Sequence, residues 1–167
     1  MPSDHPTTQH QRLWAIAGEW ATSGHVLGDT PVEVTGSDVY EVLPGGYFMV
    51  HWVDVTVGSE QVRAVEVIGE PTAKQGVFLA RSYDNHGNVE AMEVTVDDDG
   101  VFRFSGGPDI APAAQPADGS TARVRSTLRV GPDGDSMSAL WERSGDGVTW
   151  ERWMDMTFQR RKQHDRP

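Results

Sequence analysis

His51, Glu90 and Arg152 are the side chains in this sequence whose types and positions are best suited to acid–base chemistry. His51 lies on an apolar segment, Tyr47–Val57, and could act as a general base if its side chain faces the protein interior. Glu90 and Arg152 lie on other predicted strands and could supply an acid and a cation. Together they suit an isomerisation or a cyclisation, in which shape and one or two polar groups suffice. No complete catalytic constellation is predicted, so the catalytic residues stay unknown.

Arg152 has a second interpretation as a binding residue. The alternation that directs Met154 inward also directs Arg152 inward, across from Ala139. A buried guanidinium needs an acidic partner, ordered water or an anionic ligand. We therefore expect Arg152 to fix the polar head of a ligand. The alternatives are an internal ion pair, or a bulge that turns the side chain outward.

Metal and cofactor motifs are missing from the sequence. It has no nucleophile elbow, no phosphate loop and no dinucleotide fingerprint. The acidic runs Asp97–Asp99 and Asp133–Asp135 stand where hairpin turns require Asp and Gly, without the spacing of a calcium loop. The histidines do not pair at the spacing of a metal site on one strand; they are His5, His10, His25, His51, His86 and His164. We predict neither a metal nor a cofactor.

Four predicted β-hairpins must position these side chains. Their turns are Asn85-His86-Gly87, Asp98-Asp99-Gly100, Asp133-Gly134 and Gly145-Asp146. The turns fix registers that direct one set of side chains to a common face. The predicted cross-strand pairs are Phe78–Val94, Ala80–Met92, Ser82–Glu90, Val96–Phe102, Val130–Met137 and Trp141–Trp150.

The remaining segments complete a single sheet. Val32–Leu43, Tyr47–Val57 and Val62–Ile68 read as further strands, with apolar residues on both faces that leave the last two without a certain register. One short helix is predicted after Thr7 or Thr8, ending before Gly18. About eight to ten strands in one meandering chain favour a closed antiparallel up-and-down barrel, because closure removes exposed edges. The fold class is all-β.

The predicted inner face is rich in aromatic and Met side chains, which suit an apolar or aromatic molecule. The alternative is that these side chains fill the barrel. The residues predicted to bind a ligand are Trp20, Met92, Phe104, Trp141, Arg152 and Met154.

Length, composition and charge narrow the class of protein. The 167 residues suit one domain, with flexible tails at 1–6 and 160–167 and one long loop at 107–120, rich in Pro and Ala. A net charge of −11 argues against nucleic acid and anionic membranes as partners. The lack of cysteine, of a long apolar run and of a signal-peptide core suggests the cytoplasm.

Apolar residues on the predicted outer face mark a candidate homodimer contact. These residues interrupt a surface of alternating charges and are Leu79, Tyr83, Leu140 and Trp153.

Four segments carry a similarity to a known group of proteins: Gly18-Glu19-Trp20, Tyr40–Gly46, Tyr83–Gly87 and Trp141–Trp150. In these segments the chain resembles a bacterial family of lipocalin-like, calycin-type proteins of unknown function. The resemblance runs from about Leu13 to Arg160. It implies an eight- to ten-stranded barrel with a Trp near its closed end and carries no established activity.

A related group, the nitrobindin-like haem proteins, also begins with a G-x-W element. Those proteins hold haem through a histidine on a late strand. Here no histidine occurs between Asn88 and Gln163. Haem bound in that manner is therefore not expected.

These observations favour a barrel that binds a small hydrophobic or amphipathic molecule without catalysing a reaction. The first alternative is a cavity enzyme that catalyses an isomerisation or cyclisation. The second is a filled barrel with a structural or interaction role. A carboxylate or an imidazole within reach of a vacant interior would favour the enzyme.

Overall fold

Ten antiparallel strands form a closed barrel in the computed structural model, which describes residues 5–110 and 122–162. The strands are β1 (Gly18–Val26), β2 (Val32–Val42), β3 (Met49–Val57), β4 (Glu60–Pro71), β5 (Phe78–Asp84), β6 (Val89–Val96), β7 (Phe102–Gly106), β8 (Arg123–Val130), β9 (Ser136–Ser144) and β10 (Glu151–Arg160).

Each strand pairs with its neighbours along the chain, and β1 pairs with β10 to close the sheet. The closing ladder runs from Trp20 opposite Arg160 to Val26 opposite Met154. Because side chains alternate along each strand, closure separates an inner set from an outer set. The prediction of an all-β up-and-down barrel is confirmed.

A short helical segment covers one end of the barrel. Helix α1 (Thr8–Leu13) begins with a capping box in which Thr7 and His10 bond each other's backbone N–H groups, and a 3₁₀ turn over Trp14–Ile16 follows. Leu13 and Ile16 point into the barrel and are almost completely buried. They close this end with apolar side chains, and the predicted N-terminal helix is confirmed.

The G-x-W element and the end of β10 seal the same end. Trp20 is 0% exposed, and its indole N–H donates to the Ile16 carbonyl at 3.0 Å. The Arg160 guanidinium lies 4.2 Å from the centre of the Trp20 ring and donates to the carbonyls of Ala17 and Gly134. Gly18 has a φ of +137°, and a Cβ there would meet Arg160 Nη1 at 2.2 Å. Glycine at this position lets the arginine cover the tryptophan.

Arg160 was assigned to a flexible tail and instead ends β10. Residues 1–4 and 163–167 of the predicted tails lie outside the described residues, as do residues 111–120 of the predicted loop.

Three of the four hairpin registers are confirmed. Phe78 lies opposite Val94, Val96 opposite Phe102, and Val130 opposite Met137. In each hairpin a glycine of the turn has a positive φ: 85° at Gly87, 76° at Gly100 and 74° at Gly134. The turn chemistry fixed the register, as expected for loops of this length.

The register of the last hairpin was wrong. Trp141 pairs with Met154 rather than with Trp150, and the ladder shifts between Arg152 and Met154. This β-bulge adds a residue to β10, so the alternation before it is inverted relative to the alternation after it. Arg152 therefore shares the outer face with Glu142, its partner in the ladder.

The end of the barrel opposite the helix is more open. Five apolar side chains of the inner set lie at this end, and all of them are half-buried: Val26, Val57, Val62, Trp141 and Met154. Most inner residues at the helix end are buried, among them Met49, Ile68 and Phe102, whereas Val42 and Val130 are half-buried. The open end is therefore less completely covered than the helix end.

Among the described residues, none of the helices has the length and apolar character needed to cross a membrane.

The Asn85–Gly87 turn gives a test of this fold. We predict that Gly87→Val lowers the free energy of unfolding by about 1–3 kcal/mol, since a β-branched residue is strained at a φ of +85°. The measurement is urea denaturation followed by circular dichroism.

Gly145→Val is the matched control. Gly145 also lies in an exposed hairpin turn with nothing within 4 Å of an added Cβ, but it lacks a positive φ. Equal stability of the two variants would contradict the turn geometry proposed for Gly87.

Candidate functional site

A cluster of polar side chains lies inside the barrel on four neighbouring strands. Asp38 on β2, His51 on β3 and Glu66 on β4 contact one another, and Thr22 on β1 adjoins Asp38. The ladders place His51 directly between Tyr40 and Glu66. All of these side chains belong to the inner set, so they form one polar wall in an otherwise apolar interior.

His51 is held between the two carboxylates. Its Nε2 lies 2.6 Å from Asp38 Oδ1, and its Nδ1 lies 3.1 Å from Glu66 Oε1. An ionised carboxylate can only accept, so both ring nitrogens donate and the ring is an imidazolium. The side chain of His51 is only 12% exposed. Burial alone would lower its pKa, but the hydrogen bonds and charges of Asp38 and Glu66 raise the pKa of His51 to about 9.

Thr22 and Tyr40 complete the cluster. The Thr22 hydroxyl donates to Asp38 Oδ2, so both oxygens of this carboxylate are occupied. The Tyr40 ring stacks on the His51 ring, with centroids 3.9 Å apart and planes inclined by 11°. Burial first, and then the charges of Asp38 and Glu66, raise the pKa of Tyr40 well above its ordinary value. Tyr40 is therefore a neutral phenol at physiological pH.

Two atoms of the cluster have no partner among the described residues: the second oxygen of Glu66, Oε2, and the Tyr40 hydroxyl. No side-chain oxygen or nitrogen in the described part of the chain is both fully buried and unbonded. Glu66 Oε2 and the Tyr40 hydroxyl therefore keep some accessible surface in the interior. These two atoms are the members of the cluster whose hydrogen-bonding capacity is not used by the described residues.

This arrangement limits the chemistry of the cluster. With both nitrogens donating, His51 has no lone pair with which to accept a proton, so its predicted role as a general base is not supported. Metal binding would require the same lone pair. Within residues 5–110 and 122–162, no group of three or more His, Asp or Glu side chains is arranged to hold a metal ion.

The other acid–base candidate, Glu90, lies at the open end. It pairs with Ser82, which in turn pairs with Glu66, and it is exposed. Ser82 is half-buried between the two acidic residues. Glu90 therefore extends the acidic wall towards solvent.

Four of the residues predicted to bind a ligand face the interior. Met92 and Phe104 are buried, whereas Trp141 and Met154 are half-buried near the open end. The Phe104 and Trp141 rings stack with centroids 6.5 Å apart. Strands β7, β8 and β9 stand opposite β2, β3 and β4 in the ring order, so Phe104 and Trp141 lie on the wall opposite the strands that carry the polar cluster.

The other two predicted ligand-binding residues require correction. Trp20 is completely covered by the helical segment and Arg160, so its ring presents no surface to a ligand. Arg152 is exposed on the outer face because of the bulge in β10. There it borders a surface groove of about 690 Å³ together with Arg129 and Asp155. The inward direction predicted for Arg152 is therefore wrong, and the alternative of a bulge that turns the side chain outward is the one observed.

The same bulge changes the surroundings of two other tryptophans. Trp150 lies under the Arg125 guanidinium, which is 4.1 Å from its ring centre, and not inside the barrel. Trp153, expected on the outer face, contacts the edge of Trp141, with centroids 6.5 Å apart.

The outer face of β2–β5 carries a row of apolar residues. Val39, Trp52, Val65 and Tyr83 lie side by side in the ladders, and Trp52 is 52% exposed. Tyr83 was predicted to contribute to a homodimer contact, and that contact stays a prediction.

Sequence reasoning singled out His51 but missed Asp38 and Glu66. One signal was present: both carboxylates interrupt a series of apolar residues on the inner face of their strand. Their contact with His51 could not be predicted without the register of β2, β3 and β4, because 13 and 15 residues separate them from His51 along the chain.

These features define the class of protein as a closed ten-stranded antiparallel barrel with a buried carboxylate–imidazolium–carboxylate cluster. A similar fold occurs in the crystal structure of Rv2717c from M. tuberculosis, with a TM-score of 0.63, 15% sequence identity, and coverage of 93% of this chain and 99% of that chain. At this identity the similarity concerns the fold alone. No family model and no curated protein match the sequence.

The buried imidazolium predicts a specific pH dependence of stability. The pKa of His51 is about 9 in the folded protein, against an ordinary value of 6.5. His51 therefore contributes stability that is fully present below about pH 6.5 and is lost as the pH rises through about 9. We predict that the free energy of unfolding, from urea denaturation, falls between pH 6.5 and pH 9.5.

His51→Gln should remove most of this fall, because glutamine can donate to one carboxylate but does not titrate. His25→Gln is the control, since His25 is exposed on β1 and faces only the exposed Asp155. A fall in stability of the same size in His51→Gln and in the wild type would show that His51 is not the titrating group.

Proposed function

We propose that this protein binds a small amphipathic molecule inside the barrel. Its polar part would lie against the cluster of Asp38, His51 and Glu66, and its apolar part against Phe104 and Trp141. The observation that carries the proposal is the half-buried state of inward-facing Trp141 and Met154 at the open end. Half-buried apolar side chains at this end leave surface that a bound molecule could cover.

The contrast between the two walls supports an amphipathic ligand. Aromatic and thioether side chains provide large, adaptable apolar contacts, whereas a few fixed polar groups orient the molecule. Here the polar groups are held by hydrogen bonds before any ligand binds, which lowers the entropic cost of binding.

One observation favours catalysis as a second candidate function. Glu66 Oε2 accepts no hydrogen bond from a described residue, and a carboxylate oxygen facing the interior could remove a proton from a bound molecule. The same oxygen could equally hold a ligand in place. A test for turnover therefore requires a known ligand and follows identification of that ligand.

Binding can be tested with N-phenyl-1-naphthylamine, a neutral probe whose fluorescence rises in apolar surroundings. We predict saturable binding by the wild-type protein. Trp141→Ala should weaken the binding about ten-fold, because an aromatic contact contributes about 0.5–1.5 kcal/mol beyond the area that it buries.

Trp52→Ala is the matched control, since Trp52 lies on the outer face. A loss of probe binding in Trp52→Ala but not in Trp141→Ala would place the binding site on the surface. The absence of saturable binding by the wild type would favour a filled barrel.

A further inference from the structure

The charge of the interior cluster determines which ligand head it can accept. Two carboxylates and one imidazolium leave a formal charge of −1. The side chains of Asp38 and Glu66 are at most 9% exposed. In the described part of the chain, their only ion-pair partner is His51. A net negative charge in such a setting is stabilised by a cation and destabilised by a further anion.

The Tyr40 hydroxyl is an independent indication that something binds here. Tyr40 is 6% exposed, and its hydroxyl has no hydrogen-bond partner among the described residues. Its ring is fixed against His51, on the inner face of β2. A phenol hydroxyl with little accessible surface and no partner among the described residues leaves a hydrogen bond for water or a ligand to complete. A protonated amine could donate both to this oxygen and to Glu66 Oε2.

No described positive charge competes for this position. Arg143 shares the inner face but is exposed at the open end of β9, on the opposite wall, and forms no described ion pair with Asp38 or Glu66. Arg152, which was expected to bind an acidic head, lies outside the barrel.

We propose that the ligand is a primary or secondary amine with an apolar, preferably aromatic body, and that Glu66 and Tyr40 bind its ammonium group. This inference rests on the proposed function and adds the charge of the ligand head. The aromatic body lies across the barrel against Phe104 and Trp141.

The test uses three molecules with one body: 4-phenylbutylamine, 4-phenylbutanol and 4-phenylbutyrate. At pH 7.5 they carry a positive charge, no charge and a negative charge. Isothermal titration calorimetry on the full chain measures each Kd. We predict that the amine binds about ten-fold more tightly than the alcohol, and the carboxylate more weakly than either.

Glu66→Gln tests the assignment to this side chain. The amide keeps the size of the residue and can still accept from His51 Nδ1, so the fold should persist. In this variant the ratio of the two Kd values should fall, so that the amine loses most of its preference over the alcohol. Glu93→Gln is the control, because Glu93 lies on the outer face of β6 and pairs with Lys74.

The outcomes separate the two proposals. Equal binding of all three molecules, or tightest binding of the carboxylate, would overturn the amine assignment and leave a barrel that binds small molecules. An unchanged amine preference in Glu66→Gln would also overturn it. Failure of all three molecules and of N-phenyl-1-naphthylamine to bind would overturn the binding function itself.

Discussion

Pairing of the first strand with the last is the constraint on which the rest of this structure depends. Seven residue pairs join β1 to β10, and they convert a meandering sheet into a barrel with an inside. Without them β1 and β10 would be edge strands, and the inner side chains would face solvent. Arg160 reinforces the joint, because its guanidinium covers Trp20 and bonds the carbonyls of Ala17 and Gly134. One end of the barrel is thereby covered by Arg160 together with the helical segment.

Closure of the barrel also determines the burial and the charge of the polar cluster. Asp38, His51 and Glu66 would form ordinary surface ion pairs on an open sheet, where such pairs contribute little. Inside the barrel the two carboxylates hold the imidazole in its charged form with a pKa of about 9. The cluster retains one negative charge and faces an aromatic wall. This contrast between a charged wall and an aromatic wall supports both the proposed binding function and the proposed preference for an amine.

The sequence predicted those parts of the fold that local turn chemistry controls. Gly87, Gly100 and Gly134 set three registers, and each register orients the side chains of two strands. The register of the last hairpin could not be predicted in this way, because the bulge near Trp153 lies within strand β10 and the residues of the turn do not indicate it. One extra residue was enough to move Arg152 from the predicted interior to the surface.

The candidate site was harder to predict for a related reason. The apolar residues on both faces of β3 and β4 left their register open, so the sequence indicated His51 only on the condition that it faces inward. Asp38 and Glu66 become its partners only through two ladders that join residues distant along the chain. Pairwise contacts of this kind depend on the assembled sheet and not on local pattern.

The protonation state of His51 tests the central claim most directly. Long-range ¹H–¹⁵N spectra of protein labelled in the histidine rings, assigned with His51→Gln, report a proton on each ring nitrogen separately. The account predicts that both nitrogens of His51 are protonated at pH 7.5 and that 4-phenylbutylamine shifts their signals while those of the exposed His25 stay unchanged. A neutral His51 ring at this pH, with one nitrogen unprotonated, would contradict the charged cluster and with it the proposed recognition of an amine.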